Sequence, residues 1–279
     1  MIGIIDVGGG TRGIFGAGVF DRCMDEGIVF DYVIGVSAGS ANGAAYVAGQ
    51  RGRNYVFYHD YAFRPEYMGL THFKDEGSFI NMDYIYTDLS GESGENPLDY
   101  RALIASPTRF EIVATNAFTG QPVYFDKSVM RQDRYEVIKA SCSVPVVNRP
   151  YPVDGVPYYD GGISDPVPVD RAFGMGCDKV VLILTKPRDL VPDNRRNALA
   201  GKILKKTYPE AAKATAHCNE RYVESVEKAK RLEKEGKVLI VAPDDIGGLG
   251  TLSKDADALD RLYKKGYIAA RGIKRFVEG

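Results

Sequence analysis

Two short apolar runs near the start of the chain each stop at glycine and pass into a helical pattern. Residues 2–7 are closed by Gly8-Gly9-Gly10-Thr11-Arg12-Gly13, and residues 31–35 run into Gly35-Val36-Ser37-Ala38-Gly39. A short apolar run bounded by turn residues reads as a buried strand. Ile14, Val19, Met24 and Ile28 trace a first helix that should end near Gly27. Ser37 opens a second helix, rich in the small residues Ala38, Ala41, Gly43, Ala44, Ala45 and Ala48. Small residues let a helix lie close against a sheet. Strand, glycine turn and helix, twice over, is the alternation of a parallel sheet covered on both faces.

The rest of the chain fits that frame. Residues 110–114 and 123–125 predict a hairpin around Thr119-Gly120. Residues 151–159 alternate about Asp154-Gly155, a strong turn signal, and lead into Asp160-Gly161-Gly162. Residues 179–185 (KVVLILT) and 237–242 (KVLIVA) predict two more buried strands. Between them, residues 210–235 read as one long charged helix, with Pro209 suited to its first turn and Gly236 to its end. Residues 255–277 predict a final amphipathic helix. Residues 51–108 are aromatic and less regular, either a helical excursion packed on the sheet edge or a cap lining a lipid-sized pocket.

The turns carry the chemistry. G-x-S-x-G between a strand and a helix is a nucleophile elbow, in which Ser37 sits on a turn too sharp for side chains at Gly35 and Gly39. The glycine loop could lend backbone N–H groups to a developing oxyanion. It also fits G-x-G-x-x-G, but a dinucleotide site wants an acidic residue at the end of the second strand. Asp31 stands at the start of that strand, and no G-K-[ST] follows to make a P-loop. Asp160 puts a carboxylate at a tight turn. The three histidines are His59, His72 and His217. His217 would complete a Ser–Asp–His order, although Lys213, Asn219, Glu220 and Arg221 around it suggest a solvated helix face. Asp6, Asp154 and Asp165 read as turn or strand-end residues.

Composition narrows the alternatives. Of 279 residues, 44% are hydrophobic and 26% charged, enough apolar mass for a sizeable core. A net charge of −1 gives no general pull toward nucleic acid. Cys23, Cys142, Cys177 and Cys218 form no C-x-x-C pair, which argues against a zinc ribbon or redox dithiol. No apolar run approaches a membrane span and the first residues lack a signal-peptide pattern, so a reduced, cytoplasmic, soluble protein is expected. Residues 186–237 hold 14 Lys/Arg against 8 Asp/Glu. That local excess is either a solvated helix surface or a docking face for anionic lipid, with peripheral membrane contact.

These motifs together resemble the patatin-like phospholipase family. The loop G-G-G-x-R/K-G, then G-x-S-x-G, then D-G-G occur in that order over residues 4–170. A softer block, Ala140-Ser141-Cys142-Ser143-Val144-Pro145, is similar to the family's A-S-x-x-x-P segment. The resemblance implies a three-layer α/β/α sandwich with a mostly parallel central sheet. It implies one domain over residues 1–279, in which residues 171–279 complete the fold. It implies a serine acyl-ester hydrolase of lipids, of phospholipase A or lysophospholipase type, with a Ser37–Asp160 dyad and no histidine. Gly8, Gly9, Gly10, Arg12 and Gly13 would form the oxyanion loop. Gly35 and Gly39 would flank the nucleophile, and Gly161 and Gly162 would follow the base. Arg12 would fix the loop or pair with a carboxylate. No metal or other cofactor is implied, and the expected partner is a lipid or phospholipid substrate. The alternative is a catalytically silent acyl- or nucleotide-binding regulatory protein on the same fold.

Overall fold

A computed structural model describes all 279 residues. Eight strands form one mixed sheet: β1 (Ile2–Asp6), β2 (Tyr32–Val36), β3 (Arg109–Asn116), β4 (Pro122–Asp126), β5 (Tyr151–Val153), β6 (Val156–Asp160), β7 (Lys179–Ile183) and β8 (Val238–Val241). Their order is β5-β6-β3-β2-β1-β7-β8, with β4 also on β3. The run β3-β2-β1-β7-β8 is parallel, whereas β4, β5 and β6 are antiparallel additions. The two hairpins expected at Thr119-Gly120 and Asp154-Gly155 are β3–β4 and β5–β6.

Alternate residues of the parallel strands feed two cores, as a period of two requires. Ile4, Val33, Ile112 and Val181 pack with α1 (Ile14–Asp25), α2 (Ala38–Val47) and the helix Ala256–Ala269. Ile5, Ile34, Val113 and Leu182 face the other way, onto the helices Val169–Gly174 and Cys218–Lys234. The sandwich therefore has three layers, α/β/α.

One feature of the pairing brings distant residues together. β2 and β4 both pair β3 at residues 111–113, so they hold opposite edges of it. β4 and β6 both pair β3 at Ala114 and Thr115, so they too are on opposite edges. β2 and β6 must then share one edge of β3, end to end. Val36 lies opposite Val113 and Asp160 opposite the next residue, Ala114. The end of β6 thus meets the end of β2, where Ser37 begins.

Two expected helices are broken. Residues 210–235 form Pro209–Ala216 and Cys218–Lys234, with His217 at φ −105°, ψ 5° between them. Side chains end the first helix where no glycine or proline does. The Arg221 guanidinium donates to the Ala214 and Ile163 carbonyls, and Asn194 Nδ2 donates to the Ala216 carbonyl at 3.2 Å. The last helix runs Ala256–Ala269, tightens over Ala270–Gly272 and ends in Ile273–Glu278. Short helices occupy the aromatic segment, as in a helical excursion, among them α3 (Arg53–His59), and the basic stretch carries the helix Arg195–Leu204.

Candidate active site

β1 and β2 are adjacent and in register, with Asp6 opposite Gly35. The glycine loop and the elbow therefore leave the same end of the sheet side by side. Ser37 holds φ 56°, ψ −132°, a conformation costly for any residue with a side chain. Its amide donates to Ser141 Oγ at 2.9 Å, and its carbonyl accepts from Ser40 N at 2.8 Å and Ser40 Oγ at 2.6 Å. These bonds hold the strained turn. Gly35 and Gly39 have ordinary φ, and what demands glycine is contact. A Cβ at Gly35 would lie 2.4 Å from Ser40 Cα, and one at Gly39 would lie 2.2 Å from the Asp6 carbonyl oxygen.

Asp160 ends β6 and is buried. Its amide donates to the Ser143 carbonyl at 2.9 Å, and its Oδ1 accepts from Gly162 N at 2.7 Å. Gly161 lies against the Val113 carbonyl, where a Cβ would come within 2.3 Å. Burial pushes the carboxyl up to about 6, opposed by donation from Ser37 and from the Gly162 amide. The Ser37 hydroxyl thus lies near enough to the carboxylate to favour its ionised form. The block 140–145 supports both residues: Ser141 holds the backbone of Ser37, and Ser143 holds that of Asp160.

The glycine loop is fixed from below. Asp6 is fully buried, and its Oδ1 accepts from Gly8 N at 2.9 Å. Its Oδ2 accepts from Asn42 Nδ2 at 2.7 Å, and the same Nδ2 donates to the Gly13 carbonyl at 2.8 Å. One carboxylate therefore ties the loop to the elbow helix, and burial raises its pKa to about 6. Thr185 Oγ1 donates to the Gly8 carbonyl. The Gly9 and Gly10 amides have no acceptor in the chain, nor does that of Ala38, the first residue of α2. Gly10, Ser37 and Ala38 line one cavity. Arg12 makes no ion pair with a carboxylate, and its buried Nε has no partner. Its guanidinium packs against Gly9, 3.3 Å from where a Cβ would stand.

That cavity is about 550 Å³, and 17 of its 28 lining residues are hydrophobic, which suits an alkyl chain. Phe57, Tyr58, Tyr67, Met82, Ile85 and Tyr86 contribute to its wall, so the aromatic segment 51–108 does line a pocket. The exposed residues Arg196 and Leu199 mark its mouth, on the helix Arg195–Leu204. The buried Arg53, Phe57 and Ile85 also line it, the first two from α3.

None of the histidines lines the cavity. His59 stacks on Tyr55 and pairs with Asp60. His217 is exposed and its Nδ1 lies 2.8 Å from Glu220. No group of three His, Cys, Asp or Glu side chains is gathered as a metal would need. No helix is long and apolar enough to cross a membrane.

Sequence reasoning missed the Ala38 amide, the Asp6–Asn42 tie and the supporting hydroxyls of Ser141 and Thr185. The position of Ala38 directly after Ser37 of the G-x-S-x-G turn could have found it. The others depend on contacts across the fold.

Comparison with known proteins agrees with the motifs. A family model described as patatin-like phospholipase matches residues 7–173. A second, described as a domain of unknown function, matches residues 208–276. An uncharacterized protein of Escherichia coli, YjjU, is 31% identical over 68% of this chain and 53% of its own length. The lysophospholipase nte1 of Aspergillus fumigatus is 24% identical over 99% of this chain and 18% of its own. The chain thus spans about half of the first relative and less than a fifth of the second. Among solved structures, VipD from Legionella pneumophila superposes with a TM-score of 0.57 at 14% identity, over 99% of this chain and 66% of that one. That likeness concerns the fold.

Proposed function

We propose, from the premise that the chain belongs to the patatin-like phospholipase family, that it is a serine acyl hydrolase acting on lipid esters, of phospholipase A or lysophospholipase type. One observation carries this reading. A serine on a strained turn opens into an apolar cavity and has a buried carboxylate of raised pKa beside it.

In this reading Ser37 Oγ attacks the ester carbonyl carbon while its proton passes to Asp160. A carboxyl held near 6 is ionised at neutral pH yet basic enough to accept that proton. The Gly9, Gly10 and Ala38 amides stabilise the oxyanion, an effect worth about 10²–10³ in rate for one donor in other hydrolases. Collapse of the intermediate expels the alcohol, which takes the proton back from Asp160 and leaves the acyl group on Ser37. Water then attacks the acyl-enzyme, again giving its proton to Asp160. The second collapse releases the carboxylic acid, and the proton returns to Ser37. The acyl chain lies in the cavity throughout.

The helix Arg195–Leu204 is the proposed lipid contact. Leu199 and Ile203 are exposed on it, with Leu190 and Val191 just before it. Arg195, Arg196, Lys202, Lys205 and Lys206 surround them. Basic residues near an anionic surface can contribute about 1 kcal/mol each. Docking there would bring the cavity mouth to the membrane. The test of the hydrolase reading is release of free fatty acid from mixed phospholipid and lysophospholipid vesicles. Release by the wild type and not by folded Ser37→Ala is expected, and equal release by both would refute it.

A further inference from the structure

The lining of the cavity includes a buried charge that forms no ion pair within the protein. Arg53 begins α3, is 8% exposed and lines the same cavity as Ser37. Its Nη2 donates to Ser90 Oγ at 2.8 Å and to the Asn96 carbonyl at 3.1 Å. Its Nε is buried with no acceptor. The guanidinium lies over the Phe57 ring, 4.5 Å from the centroid. The ionisable groups that act on it most are Tyr86, Tyr135, Tyr61 and Tyr67, and its hydrogen-bond partners include no carboxylate. Burial pulls its pKa down to about 10, which still leaves it charged at neutral pH.

A buried cation without a counter-charge is costly. An alkyl terminus pushed against it would strip away water and offer no acceptor in return. A carboxylate would supply both the charge and the two acceptor oxygens that a guanidinium fork fits. Reading the cavity as an acyl pocket, on which this inference rests, leaves one place for such a group. It would be carried by the chain whose ester carbonyl lies at Ser37, since Arg53 and Ser37 line the same cavity. We propose that Arg53 forms a polar subsite for a distal carboxylate, so that the preferred acyl groups are ω-carboxyacyl chains, the half-esters of dicarboxylic acids. Acyl groups of this class arise when an unsaturated chain is cleaved oxidatively.

The test uses the Ser37→Ala protein, which binds without turnover, and calorimetric titration. The probes are monomethyl esters of linear dicarboxylic acids of increasing length, each paired with the methyl-terminated ester of equal length. At one length the carboxylate should bind about ten- to a hundredfold tighter, the range of a charge-assisted hydrogen bond. Adding Arg53→Gln should remove that preference, and Arg53→Lys should keep part of it. Methyl-terminated esters that bind as tightly at every length would overturn the proposal. If Arg53→Gln fails to fold, a terminal carboxamide probe decides. Equal binding of carboxamide and carboxylate overturns the assignment, and a tighter carboxylate supports it. Hydrolysis of a plain activated ester by the wild type, measured in parallel, tests the hydrolase reading separately.

Discussion

Asp160→Asn should make the protein more stable at neutral and alkaline pH while removing its activity. The Asp160 carboxyl titrates at about 6 in the fold against an ordinary value of 3.8, because burial penalises the charged form. At about 1.4 kcal/mol per pKa unit, ionised Asp160 costs the native state up to about 3 kcal/mol. The sign follows from proton binding. Below about pH 4 the carboxyl is protonated in both folded and unfolded chains, so the cost vanishes. Between about 4 and 6 the unfolded chain ionises first and stability falls, and above about 6 the full cost is present. Asparagine cannot ionise, and its Oδ1 can still accept from Gly162 N, now 2.7 Å from the carboxylate. Urea unfolding of both proteins across this pH range reads the difference. The variant should exceed the wild type by up to about 3 kcal/mol near pH 8, and the two should converge near pH 4. A variant less stable at pH 8, or a difference independent of pH, would refute the reasoning.

Other predictions follow from the same geometry. For hydrolysis of an activated ester, kcat/KM should rise with pH through about 6 and level off above it, as Asp160 ionises. Asp6 titrates in the same range, so the rise must persist in Asp6→Asn, and a flat profile there would remove Asp160 as the base. His217→Ala should keep most activity, because this side chain is exposed and paired with Glu220. A loss as deep as that of Ser37→Ala at unchanged melting temperature would instead favour a triad. Sedimentation with vesicles should rise with anionic lipid and fall with salt. It should weaken in Lys202→Glu/Lys205→Glu/Lys206→Glu, and binding unaffected by that variant would place the docking face elsewhere.

The fold was legible wherever the chain marks its own turns. Apolar runs ending in glycine announced β1 and β2, and Thr119-Gly120 and Asp154-Gly155 announced the two hairpins, because these signals are local. The break at His217 was not legible, since no glycine or proline marks it and the helix end is capped by side chains, Arg221 of the following helix and Asn194 before it. The two readings of residues 51–108 could not be separated in sequence either. Aromatic side chains that wall a cavity and those that fill a core have the same composition. At the site, Ser37, Asp160 and the glycine loop could be read because each needs a particular turn. Their support could not, because Ser141 reaches Ser37 across 104 residues and Thr185 reaches Gly8 across 177. The glycines of the elbow were expected for the sharpness of the turn. The structure assigns them to close contact with Ser40 and Asp6.

The central claim is that Ser37 is a nucleophile activated by its surroundings. Intact-mass and peptide mass spectrometry after treatment with a fluorophosphonate tests it most directly. The account predicts one adduct per chain, on the peptide containing Ser37, formed faster as pH rises through about 6. It predicts no adduct in folded Ser37→Ala and strongly slowed labelling in Asp160→Asn. A wild-type protein that stays unlabelled, or an adduct that persists in Ser37→Ala, would contradict it.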